Sequence, residues 1–317
     1  MSGISDVAGR GAANMVKNGI EAVAADGVTG MTVGIAGLGL IGGSLAKAIR
    51  ERAGCRVLGC DIRGEVVEAA ISEGVIAGGL NEENISECSL VIAALYPGDV
   101  ISYCKENIPF MKEGAVVVDC AGVKTRICEE LPAFAKSHGV RFVGGHPMAG
   151  IESSGYGSSF AGLFDGATMI LCKDGAEERE LNELGTFFKS IGFGSLKITT
   201  AKEHDEVIAY TSQLAHIASS AYIRSDTMKR RYGFSAGSFK DLTRVAKLDE
   251  EMWALLFFEN RENLLNECDK LLGNIRLYRD ALASLDGAAM KELLRSGAEL
   301  KIEDENNEIE WLRRTLL

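Results

Sequence analysis

The eight cysteines include no C-x-x-C pair, and no Cys/His group stands at the spacing of a zinc site. Neither a metal nor a disulfide framework is therefore expected to organise the chain. Several thiols (Cys60, Cys120, Cys172) sit inside strand-like apolar runs and are expected as reduced core residues. No apolar run approaches the roughly 18 residues that a membrane-spanning helix needs. The first thirty residues also lack a cationic start followed by an apolar stretch. Secretion and membrane spanning are thus not expected, and cytoplasm is the expected location. A basic patch is missing as well. With 34 Lys and Arg against 45 Asp and Glu the formal charge is −11, and such a surface repels nucleic acid and anionic membrane alike. Hydrophobic residues make up 46% and charged residues 25%, ordinary values that set aside disorder and low-complexity architectures.

What is present is length and pattern. A chain of 317 residues exceeds the usual single core and is expected to form two domains, burying roughly three quarters of its unfolded surface. Residues 1–30 are rich in Ala and Gly, with helical spacing of apolar positions only from Met15 to Val23, and are expected as a loosely attached extension. Met31 could serve as an alternative start. From there short apolar runs alternate with helical stretches: MTVGIAG, GGSLAKAIRERAG, RVLGCD, EVVEAAISEG, SLVIAAL, DVISYCKENIPFM, AVVVDC, RICEELPAFAKSHG and RFVGG. Continuous apolar strands between helices indicate a parallel sheet covered on both faces, an α/β doubly wound domain over 31–199. TMILCK (168–173), a helix near Glu177–Ser190 and SLKIT (195–199) are expected to extend the same sheet. Residues 200–317 carry helical periodicity, with Ile208, Tyr210, Leu214, Ile217 and Tyr222 on apolar faces that one small bundle does not bury. A second, all-helical domain and a homodimer are expected from that surplus. Residues 281–317, with the acidic stretch KIEDENNEIE, leave a regulatory element or a final helix open, and a solvated tail is the favoured reading.

Gly37-Leu38-Gly39-Leu40-Ile41-Gly42 fits G-x-G-x-x-G with a strand before it and a helix after it, the context of a Rossmann-type dinucleotide fold. Gly37 permits the tight turn, Gly39 lets the backbone approach a pyrophosphate, and Gly42 lets helix and strand pack closely. Asp61 follows 19 residues past Gly42, where a carboxylate accepts from a ribose 2′-hydroxyl and favours NAD over NADP. A helix N-cap is the other reading of Asp61, and Arg63 could contact a 2′-phosphate.

Ligands of such sheets sit beyond the carboxyl ends of the strands. Tyr96-Pro97, Asp119 to Lys124 and His146-Pro147 are expected to end the fourth, fifth and sixth strands and to reach one rim. Gly144 and Gly145 would leave room there for cofactor and substrate, and Pro147 would turn the chain away. Neutral imidazole suits removal of a carbinol proton as a hydride leaves, which makes His146 the candidate base. Of the other histidines, His138 is expected as a helix C-terminal cap. His204 starts a helix, either as a cap or as a contact at the domain junction. His216 lies one turn after Ser212 and shares its face. Arg244, with Asp241 three residues before it to orient it, could clamp a carboxylate.

Taken together these residues resemble the prephenate dehydrogenase family, which includes the arogenate and cyclohexadienyl dehydrogenases of tyrosine biosynthesis. The resemblance spans residues 31–280 and rests on GLGLIGGSLA, HPMAG with Glu152 two residues later, and HD at 204–205. S-x-L-x-H at 212–216 and DLTRVA followed by Trp253 and Asn260 complete the series. It implies a Rossmann domain, a helical dimerisation domain, an active site in the cleft between them, and NAD as cofactor. It further implies oxidative decarboxylation of prephenate to 4-hydroxyphenylpyruvate. On that basis His146 bonds and deprotonates the ring hydroxyl, Arg244 binds a substrate carboxylate, His216 and Ser212 line the cleft, and Glu152 gates the arginine. Two departures stand out. Gly122 replaces the serine of the family's G-S-V-K stretch, and Gln213 replaces the first histidine of S-H-L-P-H, which leaves prephenate against arogenate open. A β-hydroxyacid- or imine-type dehydrogenase would rely on a lysine in the helical domain, and none sits as well as His146. A non-catalytic NAD-binding protein keeps the glycine loop but gives histidine, arginine and glutamate no reason to converge.

Overall fold

The computed structural model describes residues 30–234 and 236–315, so the extension expected over 1–30 lies, apart from Gly30, outside the described residues. The chain divides into two compact units between His204 and Asp205.

The first unit is built on a parallel sheet of β1 (Thr32–Ala36), β2 (Arg56–Cys60), β3 (Gly78–Gly79), β4 (Leu90–Ala93), β5 (Val116–Asp119) and β6 (Arg141–Val143). Their order, β3-β2-β1-β4-β5-β6, puts the reversal of winding between β1 and β4. Successive side chains of a strand point to opposite faces, and here both faces are buried. Val33, Ile35, Leu90, Ile92, Val116 and Val118 belong to one core, which also takes Leu45 from α1 (Leu40–Ala48) and Leu181, Leu184, Phe187 and Phe188 from α5 (Glu178–Ser190). Val91, Ala93 and Val117 belong to the other, with Val100 and Cys104 from α3 (Pro97–Asn107) and Ile127 and Leu131 from α4 (Thr125–Ser137). Burial on both sides is the physical reason that these strands are apolar throughout rather than alternating. Helix α2 (Gly64–Ser72) completes the set between β2 and β3. Seven of the eight thiols lie in or against these cores, Cys268 lies in the second unit, and all eight are free. Burial pushes Cys55 up to about 11 and Cys88 up to about 12, so both stay protonated.

The expectation that 168–173 and 195–199 extend this sheet is corrected. They form a second sheet, in which β7 (Gly145–Pro147) runs antiparallel to β8 (Thr168–Cys172) and β8 runs parallel to β9 (Ser195–Thr199). His146 therefore does not end the sixth strand; it is the central residue of β7, opposite Ile170. Gly144 and Gly145 also have another purpose than ligand space. A Cβ on Gly144 would meet Cys128 Sγ at 2.5 Å and Cys172 Cβ at 3.2 Å, and one on Gly145 would meet the Asp119 carbonyl oxygen at 2.5 Å. Glycine at both positions lets the chain step from one sheet to the other against β5. Pro147 continues β7 opposite Met169 rather than turning the chain away.

The second unit is helical. Helix α6 (Ala201–Ile208), within which the division falls, runs through a wider π turn (Ala209–Leu214) into α7 (Ala215–Ile223). Then come α8 (Gly237–Thr243), α9 (Glu250–Glu259), α10 (Arg261–Ala283) and α11 (Gly287–Thr315). Of the alternatives for 281–317 the final helix is the one found, 29 residues long from Gly287 and solvent-exposed over KIEDENNEIE. Asp286 starts it by accepting from the Ala288 and Ala289 N–H groups at 3.0 and 2.9 Å, and Tyr278 ties α10 to it by donating to the Leu293 carbonyl at 3.2 Å. Ile208 and Leu214 are buried, whereas Tyr210 is 63% exposed and Phe258 74%, and Tyr222, Leu265, Leu272, Ile275 and Leu300 are also open. That apolar surplus is the mark of a surface meant to be covered. Among the described residues no helix is long and apolar enough to cross a membrane.

Candidate functional site

The glycine loop joins β1 to α1. Gly37 has φ +85, a conformation that L side chains rarely adopt, and its Cβ would run into the Ala94 carbonyl at the end of β4. Nothing lies within 4 Å of a Cβ built on Gly39, so the backbone there is open to a ligand. Gly39 is also the N-cap of α1 and supplies no side-chain cap. The first N–H groups of α1 (Leu40, Ile41) thus form an anion site of the kind a pyrophosphate occupies. Leu38 differs from its neighbours. Its side chain is buried, and its N–H donates to Asp61 Oδ2 at 2.9 Å. Asp61 is not the N-cap of α2, which is Arg63; its Oδ1 accepts from the Arg63 N–H at 3.0 Å. An open glycine backbone, an uncapped helix start and a fixed carboxylate together fit a dinucleotide. Gly42 packs so closely that a Cβ would collide with the Gly37 carbonyl oxygen. Gly42→Ala should therefore weaken dinucleotide binding at least about tenfold and cost about 1–3 kcal/mol of stability. Titration calorimetry with the nucleotide reads the first effect, and an unchanged Kd would remove the loop from the binding site.

His146 is half-buried on β7, held by backbone and ring alike. The Gly145 N–H before it donates to Asp119 Oδ1 at 3.1 Å. The other oxygen of Asp119 accepts from the Ala121 N–H at 3.0 Å and from the Lys124 ammonium. Asp119 and Lys124 are both fully buried, and removing such ions from water costs several kcal/mol each, so the pair depends on these bonds. It also fixes the turn at Gly122 without the hydroxyl of the family's serine. On the ring side His146 Nδ1 lies 2.9 Å from His204 Nε2. Neither sequence alternative for His204, a cap or a junction contact, includes this bond, and nothing in the HD pair at 204–205 reveals a partner 58 residues away. His138 is, as expected, the C-cap of α4, and its Nδ1–H donates to the Phe134 carbonyl at 3.0 Å. Tyr96 is the exposed N-cap of α3, and Glu152 sits in an exposed loop after β7.

In the helical unit His216 Nδ1–H donates to the Ser212 carbonyl at 2.7 Å, which leaves Nε2 as an acceptor. The imidazole lies against the Trp253 ring with centroids 3.9 Å apart. Ser212 and His216 thus share a face as expected, with Ser212 in the π turn, a feature frequent at functional sites. Gln213, by contrast, points inward. It is buried, donates to the Leu256 carbonyl at 3.1 Å and accepts from Asn260 at 2.8 Å, while Asn260 also donates to the Asp205 carbonyl at 2.8 Å. The departure at Gln213 therefore falls in a satisfied internal network. Arg244 is exposed just after α8, and among the described residues no ion pair joins it to Asp241, whose carboxylate lies toward Gly237 instead. Asp241 therefore does not orient Arg244 as expected.

Comparison with known proteins gives these residues a context. Residues 45–196 match the family model described as prephenate dehydrogenase, nucleotide-binding domain, and residues 200–296 match the one described as prephenate dehydrogenase, dimerization domain. The prephenate dehydrogenase of Lactococcus lactis subsp. cremoris is 30% identical over 275 residues, 84% of this chain and 75% of its own length. The cyclohexadienyl dehydrogenase of Zymomonas mobilis subsp. mobilis is 27% identical over 297 residues, 85% of this chain and 94% of its own. The crystal structure of A. aeolicus prephenate dehydrogenase in complex with hydroxyphenyl propionate and NAD+ superposes with a TM-score of 0.76 at 27% identity, covering 86% of this chain and 98% of that one. With both units matched to one family and a relative this similar along most of the chain, the protein belongs to the prephenate dehydrogenase family.

Proposed function

We propose that the chain is an NAD-dependent prephenate dehydrogenase, which oxidatively decarboxylates prephenate to 4-hydroxyphenylpyruvate as a homodimer. The observation that carries the reading is His146, a half-buried imidazole whose backbone is tied to Asp119 and whose ring is tied to His204, on the family's nucleotide-binding unit. The residues that would hold NAD are Gly37, Gly39, Gly42 and the start of α1 for the pyrophosphate and Asp61 for the ribose. NAD, when bound, supplies the hydride acceptor that no side chain provides. His146 takes the proton of the ring hydroxyl, so that the carbinol carbon becomes a carbonyl as its hydrogen leaves. Loss of CO2 then restores aromaticity in the substrate itself, and the chain's further task is orientation. Arg244 binds a substrate carboxylate, Ser212 and His216 line the site, and Glu152 gates access to the arginine. The exposed apolar helical surface, in a unit matching a dimerization domain, supports the homodimer.

The reading is tested by following NADH absorbance with purified protein, NAD and prephenate, with arogenate and NADP in parallel. Turnover of arogenate alone would assign the chain to the arogenate branch of the family, and no turnover of either cyclohexadiene would overturn the proposal. Arg244→Ala should raise KM about tenfold or more with a smaller change in kcat, as loss of a charged ligand contact predicts. An unchanged KM would remove Arg244 from the carboxylate site.

A further inference from the structure

We infer that His204 is a positioning residue for His146: its Nε2 accepts from His146 Nδ1–H and so fixes His146 in the tautomer whose Nε2 carries the lone pair. This rests on the reading of His146 as the base given above. The two ring nitrogens are 2.9 Å apart. The rings are tilted by 59° with centroids 5.1 Å apart, so they meet through nitrogen atoms rather than by stacking. His204 is only 3% exposed, and the start of its helix is pinned. The Ala201 N–H donates to Asp174 Oδ2 at 2.7 Å, the Glu203 N–H to Thr200 Oγ1 at 3.1 Å, and the His204 N–H to the Thr200 carbonyl at 2.9 Å. With Gly145 bonded to Asp119 and β7 in register with β8, the main chain on both sides of this contact is fixed.

A neutral imidazole carries one N–H, so in a contact between two ring nitrogens one donates and the other accepts. If His204 donated, His146 would carry its own proton on Nε2 and could only donate from that atom. If His146 donates, its Nε2 is an acceptor and His204 carries its proton on Nδ1. Only the second arrangement suits a base acting through Nε2. It follows the rule that the hydrogen bond made by one ring nitrogen sets the state of the other, the role a carboxylate fulfils in a Ser-His-Asp triad. When His146 works, the substrate O–H bond breaks, its electron pair stays on oxygen, and an Nε2–H bond forms. The hydride lost from carbon goes to the NAD of the proposed reaction. The imidazolium so formed still donates from Nδ1 to a neutral His204, a charge-assisted and therefore stronger bond. After CO2 leaves, the proton returns to the phenol oxygen, and the pair is back in its resting state.

The experiment is ring-nitrogen NMR on the ¹⁵N-labelled, ligand-free full chain under conditions where both imidazoles are neutral, which distinguishes Nδ1–H from Nε2–H directly. Both His146 and His204 should be in the Nδ1–H form. In His204→Ala, His146 should shift toward the Nε2–H form, whereas His204→Gln, whose Oε1 also accepts, should keep it on Nδ1. In kinetics His204→Ala should lower kcat about 10- to 100-fold, by analogy with removal of the outer partner that orients a metal-ligating histidine. KM should change little, and His204→Gln should recover most of the loss. A wild-type His146 with its proton on Nε2 would overturn the inference. So would equal impairment of the Ala and Gln variants with the His146 tautomer unmoved. Because the NMR is read on resting protein, it decides the role of His204 even if neither cyclohexadiene is turned over, which would count against the proposed function alone.

Discussion

Replacing His146 with asparagine should lower turnover by about 10²- to 10⁴-fold while NAD affinity stays near that of the unaltered chain. Asparagine keeps a side chain of similar reach that can still hydrogen-bond to His204, but it cannot take up a proton. The loss therefore isolates proton removal from packing. His146 stands on β7, whereas the dinucleotide loop follows β1, which is why binding is expected to survive. Turnover lowered to that extent with an unchanged NAD Kd, measured by NADH absorbance and titration on the same preparation, is the expected pair of results. A strongly weakened Kd with unaffected turnover would put His146 in the wrong role.

The largest effect on stability is expected at Asp119. Its carboxylate is fully buried and accepts from the Gly145 and Ala121 N–H groups as well as from Lys124. Asp119→Ala removes the counter-charge of a buried ammonium together with the acceptors of two backbone N–H groups, a change worth about 3–5 kcal/mol. At about 2–4 °C per kcal/mol for a unit of this size, thermal unfolding of the nucleotide-binding unit should move down by roughly 10 °C. Asp119→Asn, which keeps an acceptor for Gly145, should lose less. A melting temperature within a degree of the parent for Asp119→Ala would show that the pair contributes nothing net.

The parallel sheet was legible because its strands are buried on two faces and so are apolar almost throughout, as in AVVV before Asp119. The glycine loop was legible because each glycine answers a local backbone demand. The second sheet was not. TMILC and SLKIT have the same composition whichever sheet they join, and a three-residue strand of Gly145, His146 and Pro147 has no periodicity to detect. Its glycines are explained by the collision of a Cβ with Cys128 and with the Asp119 carbonyl, contacts made across distant parts of the chain. The partnership of His146 with His204 was hidden for the same reason. At the C-terminus the many charges of KIEDENNEIE suggested solvation, and α11 is indeed exposed there. Yet Glu and Lys are good helix formers, and exposure and helix are compatible.

Asp61 has one more consequence. Both of its oxygens are held by main-chain donors of the protein itself, the Leu38 and Arg63 N–H groups. The rotamer entropy of ordering that side chain is therefore lost on folding and not again on binding. Immobilising a side chain at an interface costs about 0.5–1.5 kcal/mol, so the saving corresponds to about two- to tenfold in affinity with no contact added. It is conferred in part by the Leu38 N–H of the glycine loop, which thereby acts on the ribose end of a dinucleotide as well as on its phosphates.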